Sequence, residues 1–153
     1  MPQAATVPIR GLAVSTSASD QRTRGLTLST PSQPIEIALA YHRAWTSGDM
    51  DLAMKYVAED VVCDTPPGRL TGAAALRTFM GPFAATLTYS QLLAAYGDES
   101  SAVVMYDTAN PAVASAPAAE LYRVRDGYIT ALRIVFDRLP FALARGEIVP
   151  RPQ

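Results

Sequence analysis

The sequence predicts an α+β domain in which three helices pack against one face of a curved antiparallel sheet. In the helical segments between residues 33 and 86, apolar residues recur at every third or fourth position, which is typical of helices that bury one side. After residue 86 apolar and polar residues alternate instead, in four segments separated by turn-forming residues. Helices followed by a run of strands favour an α+β fold.

Length and composition predict one domain. The chain has 153 residues, of which 49% are hydrophobic and 18% are charged, enough for one apolar core. We place the domain at residues 33–142. Residues 1–32 lack periodicity and are rich in small polar residues, so they are predicted to form a mobile tail, and 143–153 a C-terminal tail.

Charge and cysteine content exclude several classes of protein. Thirteen basic and fourteen acidic residues give a net charge of −1, so neither nucleic acid nor an anionic membrane is an expected partner. The single Cys63 cannot form an internal disulfide. No apolar run approaches the roughly 20 residues that span a bilayer, and no secretory signal is recognisable. The expected location is the cytoplasm.

The helices are predicted from caps and apolar stripes. The first begins near Pro34, with Glu36 at its positive end, and ends at Gly48. A short second helix covers 50–59. The third covers 72–86 and is bent or ended at Gly81-Pro82. The apolar stripe of the first helix comprises Ile37, Ala38, Tyr41, Ala44 and Trp45, and that of the third comprises Leu76, Phe79, Met80 and Phe83.

The predicted strands begin with a short one at 60–65, followed by a loop at 66–72 that is rich in Pro and Gly. Four more strands have period-two alternation and are joined by turn residues. They cover residues 87–96, 101–107, 118–125 and 128–137.

Three segments in this order resemble the nuclear transport factor 2-like superfamily, in particular its SnoaL-like members, over roughly residues 33–141. They are YHRAWTSGDMDLAMKYVAEDVV, PPGRLTGAAALRTFM and YRVRDGYITALRIVFD. The resemblance implies a cone-shaped sheet with an apolar pocket for a small molecule between sheet and helices. It also implies a homodimer formed through the outer sheet face. The superfamily holds ketosteroid isomerases, scytalone dehydratase, limonene epoxide hydrolases, polyketide cyclases and non-enzymatic binding modules, so it does not specify one reaction.

The family's known catalytic residues are largely missing. Limonene epoxide hydrolases use an acid–arginine–acid triad, and its catalytic Asp falls on Ile134. The Arg and the Asp that this group carries on an earlier strand fall on Asp107 and Ala109. The general base of ketosteroid isomerases falls on Thr65, although the oxyanion-hole Tyr matches Tyr41. We therefore expect neither mechanism in its usual form.

Strand parity predicts which side chains face the pocket, because successive side chains point to opposite faces. The last strand directs an apolar set inward and Asp137 outward, where Arg123 and Arg133 can either pair with it or reach across a dimer. On the two strands before it, we expect Met105 and Asp107, and Glu120 and Tyr122, to face inward. The inward set of the last strand is Leu132, Ile134 and Phe136.

This parity predicts a catalytic pair. Two carboxyl groups close together in an apolar pocket cannot both ionise cheaply, so one of Asp107 and Glu120 should keep its proton near neutral pH. Such a pair suits general acid/base chemistry, with Tyr41 or His42 as hydrogen-bond donor to a substrate oxygen. Two alternatives stay open: in the first Asp107 caps the loop after its strand, and in the second Glu120 pairs with an Arg or with the backbone.

The other predicted substrate-binding residues are mostly apolar. Core packing would explain them equally well, and the lone His42 is equally consistent with a structural role. Neither a metal nor a cofactor is expected, because His, Cys and carboxylate ligands do not cluster in the sequence. The predicted substrate-binding residues are His42, Trp45, Thr65, Phe79, Phe83, Met105, Tyr122, Leu132, Ile134 and Phe136.

Two functions remain in view. The first is a cofactor-free enzyme, a cyclase, isomerase, dehydratase or hydrolase, acting on a polyketide- or terpenoid-like substrate. The second is a non-catalytic ligand-binding or protein-interaction module. An enzyme needs an inward carboxyl group with a shifted pKa, whereas a binding module needs only apolar walls and a few hydrogen-bonding groups.

Overall fold

The computed structural model describes residues 33–149, which form a curved six-stranded sheet and four helices. The α+β class predicted from the sequence is confirmed. The predicted tail at 1–32 lies outside the described residues, as do residues 150–153. In chain order the elements are α1 (Pro34–Thr46), α2 (Met50–Met54), β1 (Val57–Thr65), β2 (Gly68–Thr71), α3 (Ala73–Thr86), β3 (Tyr89–Gly97), β4 (Ser101–Ala109), β5 (Ala118–Arg125), β6 (Tyr128–Phe136) and α4 (Leu139–Ala144).

The strand order is β2-β1-β6-β5-β4-β3. Strands β3 to β6 form an antiparallel meander, but β1 and β6 are parallel, so the sheet is mixed where the sequence predicted antiparallel pairing throughout. A parallel pair needs a long crossover connection. The segment from α3 through β5 supplies it, because α3 carries the chain from the β1–β2 edge to the far edge of the sheet.

Helix α1 begins with Gln33 at its N-cap, where the backbone N–H of Gln33 donates to Oε2 of Glu36 at 3.3 Å. Its apolar side packs across β3, β4, β5 and β6, while α3 packs on β1 and β2. Helix α3 continues through Pro82 instead of ending there. The two helices therefore cover one face of the sheet and enclose the core between them.

Two elements were not predicted. Part of the loop at 66–72 forms β2, which pairs with β1 in a hairpin where the Thr65 hydroxyl donates to the Gly68 carbonyl at 2.6 Å. Helix α4 extends across the boundary placed at residue 142. Phe141 on α4 packs against Phe83 and Phe136, with ring centroids 5.9 and 5.5 Å apart.

The core lies between the helices and the concave side of the sheet, and three of its buried side chains are polar: His42, Thr108 and Glu120. Buried polar groups need hydrogen-bond partners, so these three are the first places to look for a function. Within residues 33–149, none of the helices has the length and apolar character needed to cross a membrane.

Candidate functional site

A cavity of about 280 Å³ lies between α3, α4 and strands β4 to β6. Its wall is mostly aromatic and aliphatic, with Phe79, Phe83, Phe136 and Phe141 among the lining residues. Such a wall, broken by a few polar groups, is typical of sites for small molecules. The polar and charged lining residues are Tyr106, Thr108, Arg138 and Arg145.

Tyr106 connects this wall to a buried carboxyl group. Its hydroxyl donates a hydrogen bond of 2.9 Å to Oε1 of Glu120, and the hydroxyl of Tyr122 donates to Oε2 of the same carboxyl group. Glu120 is fully buried. Glu120 reaches both hydroxyls because of the strand geometry. Tyr122 lies two residues further along β5, on the same face as Glu120. Glu120 is paired in register with Val104 of β4, and Tyr106 lies two residues beyond Val104 on that same face.

Burial raises the pKa of Glu120 to about 7, against its ordinary value of 4.5. The hydrogen bonds from Tyr122 and Tyr106 lower the pKa, because they stabilise the ionised form, but burial outweighs them. The carboxyl group therefore exchanges its proton near neutral pH.

The groups that interact electrostatically with Glu120 are Tyr41, Cys63, Tyr106 and Tyr122. None of these is cationic, and among the described residues no Arg, Lys or His forms an ion pair with Glu120. Burial first, and then the Glu120 carboxyl group, raises the pKa of all three tyrosines. The same two causes raise the pKa of the Cys63 thiol to about 12. All four partners therefore stay protonated near neutral pH.

Helix α1 contributes three buried polar atoms that have no hydrogen-bond partner among the described residues: Tyr41 Oη, His42 Nδ1 and Trp45 Nε1. Burial, and then the neighbouring Arg43, lowers the pKa of His42 to about 4, so its imidazole is neutral at physiological pH. The rings of His42 and Trp45 both pack against Tyr106, with centroids 4.7 and 5.4 Å from it.

The predicted site residues separate into three groups. Four of them line the cavity: Phe79, Phe83, Ile134 and Phe136. Six others face the core and are buried, but are not among the residues lining the cavity: Tyr41, His42, Trp45, Glu120, Tyr122 and Leu132. The remaining three, Asp107, Met105 and Thr65, are placed elsewhere.

The prediction that Asp107 and Met105 face inward is wrong. Strand β4 buries Tyr106 and Thr108 instead, while Met105 is 47% exposed and Asp107 shares its outer face. The proposed pair of Asp107 with Glu120 is therefore wrong too, since the two side chains lie on opposite faces of the sheet. The error arose because both alternating sets of β4 contain apolar residues, so its sequence does not mark the inner face.

Thr65 also differs from the prediction. Its hydroxyl bonds to Gly68 in the β1–β2 hairpin, and it is not among the cavity-lining residues. The hairpin brings Pro67 to the cavity instead. Thr65 was assigned to the site only because the general base of ketosteroid isomerases falls on this position, and the residue here forms part of the hairpin instead.

Charged residues of the sheet's outer face pair with one another. Asp64 binds Arg69 at 2.7 Å and Arg133 at 3.1 Å, and these hydrogen bonds lower the pKa of Asp64. Asp137 is exposed, as strand parity predicts, but within residues 33–149 it forms no ion pair with Arg123 or Arg133. Instead Asp137 accepts a hydrogen bond of 2.9 Å from the backbone N–H of Leu139 at the start of α4.

The cavity-lining residues that the sequence did not predict include Tyr106, Thr108 and, around α4, Arg138, Phe141 and Arg145. The sequence of β4 carries no signal for Tyr106 and Thr108, because both of its faces contain apolar residues and only the register against Glu120 in the structure places them inward. Helix α4 has Pro140 in its first turn and is only six residues long, so no periodic signal marks it. Among the described residues, no three His, Cys, Asp or Glu side chains are grouped so as to hold a metal ion.

A curved mixed sheet closed by helices around an apolar cavity defines a protein of the nuclear transport factor 2-like, cystatin-like class. The chain belongs to the SnoaL-like domain family, whose model matches residues 38–132. Proteins with this fold include polyketide cyclases, isomerases and epoxide hydrolases. No curated protein matches the sequence.

Solved structures agree with this assignment. One from Kribbella flavida is 51% identical to this chain, with a TM-score of 0.73, and the match covers 76% of this chain and 97% of that one. A protein from Catenulispora acidiphila with a ketosteroid isomerase-like fold, solved in complex with trimethylamine, is 19% identical, with a TM-score of 0.61 and coverage of 78% and 100%. An epoxide hydrolase from M. tuberculosis, similar to limonene epoxide hydrolase, is 16% identical, with a TM-score of 0.59 and coverage of 72% and 87%. The last two share the fold alone.

Proposed function

We propose that this protein binds a small, largely apolar molecule in the cavity and performs cofactor-free acid/base chemistry on it. The observation that carries the proposal is the connection from Tyr106, on the cavity wall, to the buried carboxyl group of Glu120. A general acid or base works best when its pKa lies near the working pH, and the pKa of Glu120 is about 7.

Proton transfer follows from the direction of this hydrogen bond. With Glu120 ionised, Tyr106 donates its proton to the carboxylate and its oxygen is left to accept a proton from the ligand. As the ligand proton moves to the Tyr106 oxygen, the original hydroxyl proton moves to Glu120. The reverse transfer returns the proton to another atom of the ligand, so the enzyme is unchanged after an isomerisation, cyclisation or dehydration.

Tyr106 does not act as the base itself. Burial and the adjacent Glu120 raise its pKa well above the ordinary value, so its hydroxyl stays protonated in the resting state. It serves as a relay, while Glu120 stores the proton. Tyr122 holds the second carboxyl oxygen and thereby orients the group.

The test uses 2-tetralone, a bicyclic ketone of a size and apolarity that suit the aromatic wall. In D₂O, mass spectrometry measures exchange of the carbon-bound hydrogens next to the carbonyl group. The wild-type protein should accelerate the exchange, and Glu120→Gln and Tyr106→Phe should abolish the acceleration. Glu99→Gln is the matched control, because Glu99 is exposed in the β3–β4 turn. Undiminished exchange in Glu120→Gln would show that this carboxyl group is not the base.

A non-catalytic binding module is the second candidate. Glu120 does not itself line the cavity, and Asp107 lies on the outer face, so no second acid supports it. If 2-tetralone binds without any acceleration of exchange, and Glu120→Gln alters only stability, the binding function is the correct one.

We also propose that two copies associate through the outer sheet face. Its centre is apolar and open, with Tyr96 74%, Val103 40%, Met105 47% and Val135 59% exposed. Charges of opposite sign flank this centre. Asp107 lies near the C-terminal end of β4, and Arg123 of β5 lies beside Ser101 at the other end of β4. Two such faces related by a two-fold axis would bring Asp107 of each copy to Arg123 of the other, with the apolar centres in contact.

A further inference from the structure

The two charged residues that line the cavity are both arginines. They are Arg138 and Arg145, and no acidic side chain of the described residues lines the cavity beside them. An otherwise apolar wall therefore has one positively charged region. This region is separate from Glu120, which is reached through Tyr106 and carries no cationic partner.

Helix α4 positions both arginines. Arg138 precedes its first residue and Arg145 follows its last, so their Cα atoms are about 10 Å apart along the helix. Phe141 lies between them and packs on Phe83 and Phe136 of the cavity wall. These ring contacts hold α4 over the cavity and keep both arginines at its edge.

Two acids, Asp137 and Glu147, flank α4 as well, but neither lines the cavity, and Asp137 accepts a hydrogen bond from the backbone N–H of Leu139. Arg145 binds the carboxylate of Glu147 through two hydrogen bonds, Nε to Oε1 at 2.5 Å and Nη2 to Oε2 at 3.1 Å. The guanidinium of Arg138 has no ion pair or side-chain hydrogen bond within residues 33–149, although its charge helps to lower the pKa of Glu147. The guanidinium of Arg138 is therefore the cationic group at the cavity edge without an ion pair among the described residues, and the Arg145–Glu147 fork is the geometry in which an arginine binds a carboxylate.

We propose that the cavity selects small carboxylic acids with an apolar body. The carboxylate lies at Arg138, and the apolar body lies among Phe79, Phe83 and Phe136. The volume of about 280 Å³ is close to the lower limit of ligand pockets, roughly 300 to 1,000 Å³, and so favours a compact acid. This inference names a substrate class for the proposed function and rests on that cavity, but not on the proton transfer.

The test compares octanoate with octanamide, which has the same shape and no charge. Isothermal titration calorimetry measures both affinities. The fluorescence of Trp45, the single Trp, shows whether the cavity is occupied, because its ring lies 6.3 Å from that of the cavity-lining Phe83. Octanoate should bind about fivefold more tightly than octanamide, a typical effect for a partly exposed ion pair, and added salt should reduce the difference.

Arg138→Gln should bring the affinity of octanoate to within twofold of that of octanamide, while leaving octanamide binding unchanged. Arg145→Gln should have a smaller effect, because Glu147 already occupies that guanidinium. Arg125→Gln is the control, because Arg125 is exposed at the end of β5 and does not line the cavity.

The outcomes separate this inference from the proposed function. Equal affinities for the two probes in the wild-type protein would overturn the inference and leave the cavity assignment standing. Binding of neither probe would overturn both. A preference for octanoate that depends on Arg138, in a protein that does not exchange the hydrogens of 2-tetralone, would support the inference and overturn the proposed chemistry.

Discussion

The hydroxyl of Tyr106 donates a 2.9 Å hydrogen bond to Oε1 of Glu120, and this bond joins the cavity wall to a fully buried carboxyl group. Two tyrosine hydroxyls hold the carboxyl group, and no cation among the described residues pairs with it. An isolated buried carboxylate is costly, so the group favours its protonated form more than an exposed glutamate does. The pH dependence of stability and of proton transfer should both originate here.

Glu120 makes the folded state less stable as the pH rises. Its pKa in the folded protein, about 7, exceeds its ordinary value of 4.5, so the folded state holds the proton more tightly. The resulting stabilisation is complete below pH 4.5 and is lost as the pH rises to about 7, by about 3 kcal/mol. The side chain introduced by Glu120→Gln cannot titrate, so this variant is the reference. Urea titrations measure the free energy of unfolding of both proteins. The wild-type value minus that of the variant should fall as the pH rises from 4.5 to about 7. A constant difference would mean that the carboxyl group is not buried in solution.

His42 should give the opposite slope. Its pKa, about 4, lies below its ordinary value of 6.5, so stability is fully present above pH 6.5 and is lost as the pH falls towards 4. Because His42 is the single His, its Cε1–H signal in a proton NMR titration is unambiguous. The midpoint of this titration should lie near pH 4. As the pH falls, Glu120 gains stability while His42 loses it, so removing the Glu120 titration in Glu120→Gln should make the loss of stability at acid pH steeper than in the wild type. A midpoint near 6.5 would place the imidazole in contact with water.

Tyr122→Phe and Tyr106→Phe should each raise the pKa of Glu120. Both hydroxyls donate to the carboxylate and stabilise its ionised form, so removing either one favours the protonated form. The carboxyl carbon of Glu120 in ¹³C NMR reports this pKa directly. Only Tyr106→Phe should also change the affinity for a cavity ligand, because Tyr106 lines the cavity and Tyr122 does not. Equal effects on affinity would contradict the assignment of Tyr106 to the wall.

The Cys63 thiol should be unreactive in the folded protein. It is fully buried, and burial, followed by the charge of Glu120, raises its pKa to about 12, so almost none of it is the nucleophilic thiolate. Its reaction with a disulfide reagent should be at least about 100-fold slower in buffer than in urea, since reaction then requires unfolding. Rapid reaction in buffer would show that this part of β1 opens readily.

The proposed dimer predicts a charge-reversal rescue. Asp107→Arg and Arg123→Asp should each weaken association, because each places like charges opposite one another. The double variant should restore association, because the pair is re-formed with its signs exchanged. Light scattering coupled to size-exclusion chromatography measures the mass of each variant. As a check on the apolar centre, Met105→Glu should give monomers, whereas Glu99→Gln should not change the mass. A monomeric wild type would rule the dimer out.

The inner faces of β5 and β6 were predictable from the sequence. On β6 the inward residues Leu132, Ile134 and Phe136 are all apolar and the outward ones include Arg133, so the alternation is unambiguous. On β5 the same contrast places Glu120 and Tyr122 inward. One of the two carboxyl groups, Asp107 or Glu120, was expected to have a raised pKa because of the other. Glu120 has a raised pKa because of burial, and within residues 33–149 no second carboxyl group is among the causes.

The sequence by itself determined the α+β class, the buried sides of the helices and the inward position of Glu120, because local periodicity reports a buried face wherever the two faces differ in polarity. On β4 both faces carry apolar residues, so only pairing with β5 decided that Tyr106 faces the cavity and Asp107 faces away. Tertiary structure also decided the parallel pairing of β1 with β6 and the position of α4. These depend on contacts between residues far apart in the chain, such as Phe141 with Phe83, which no local pattern records.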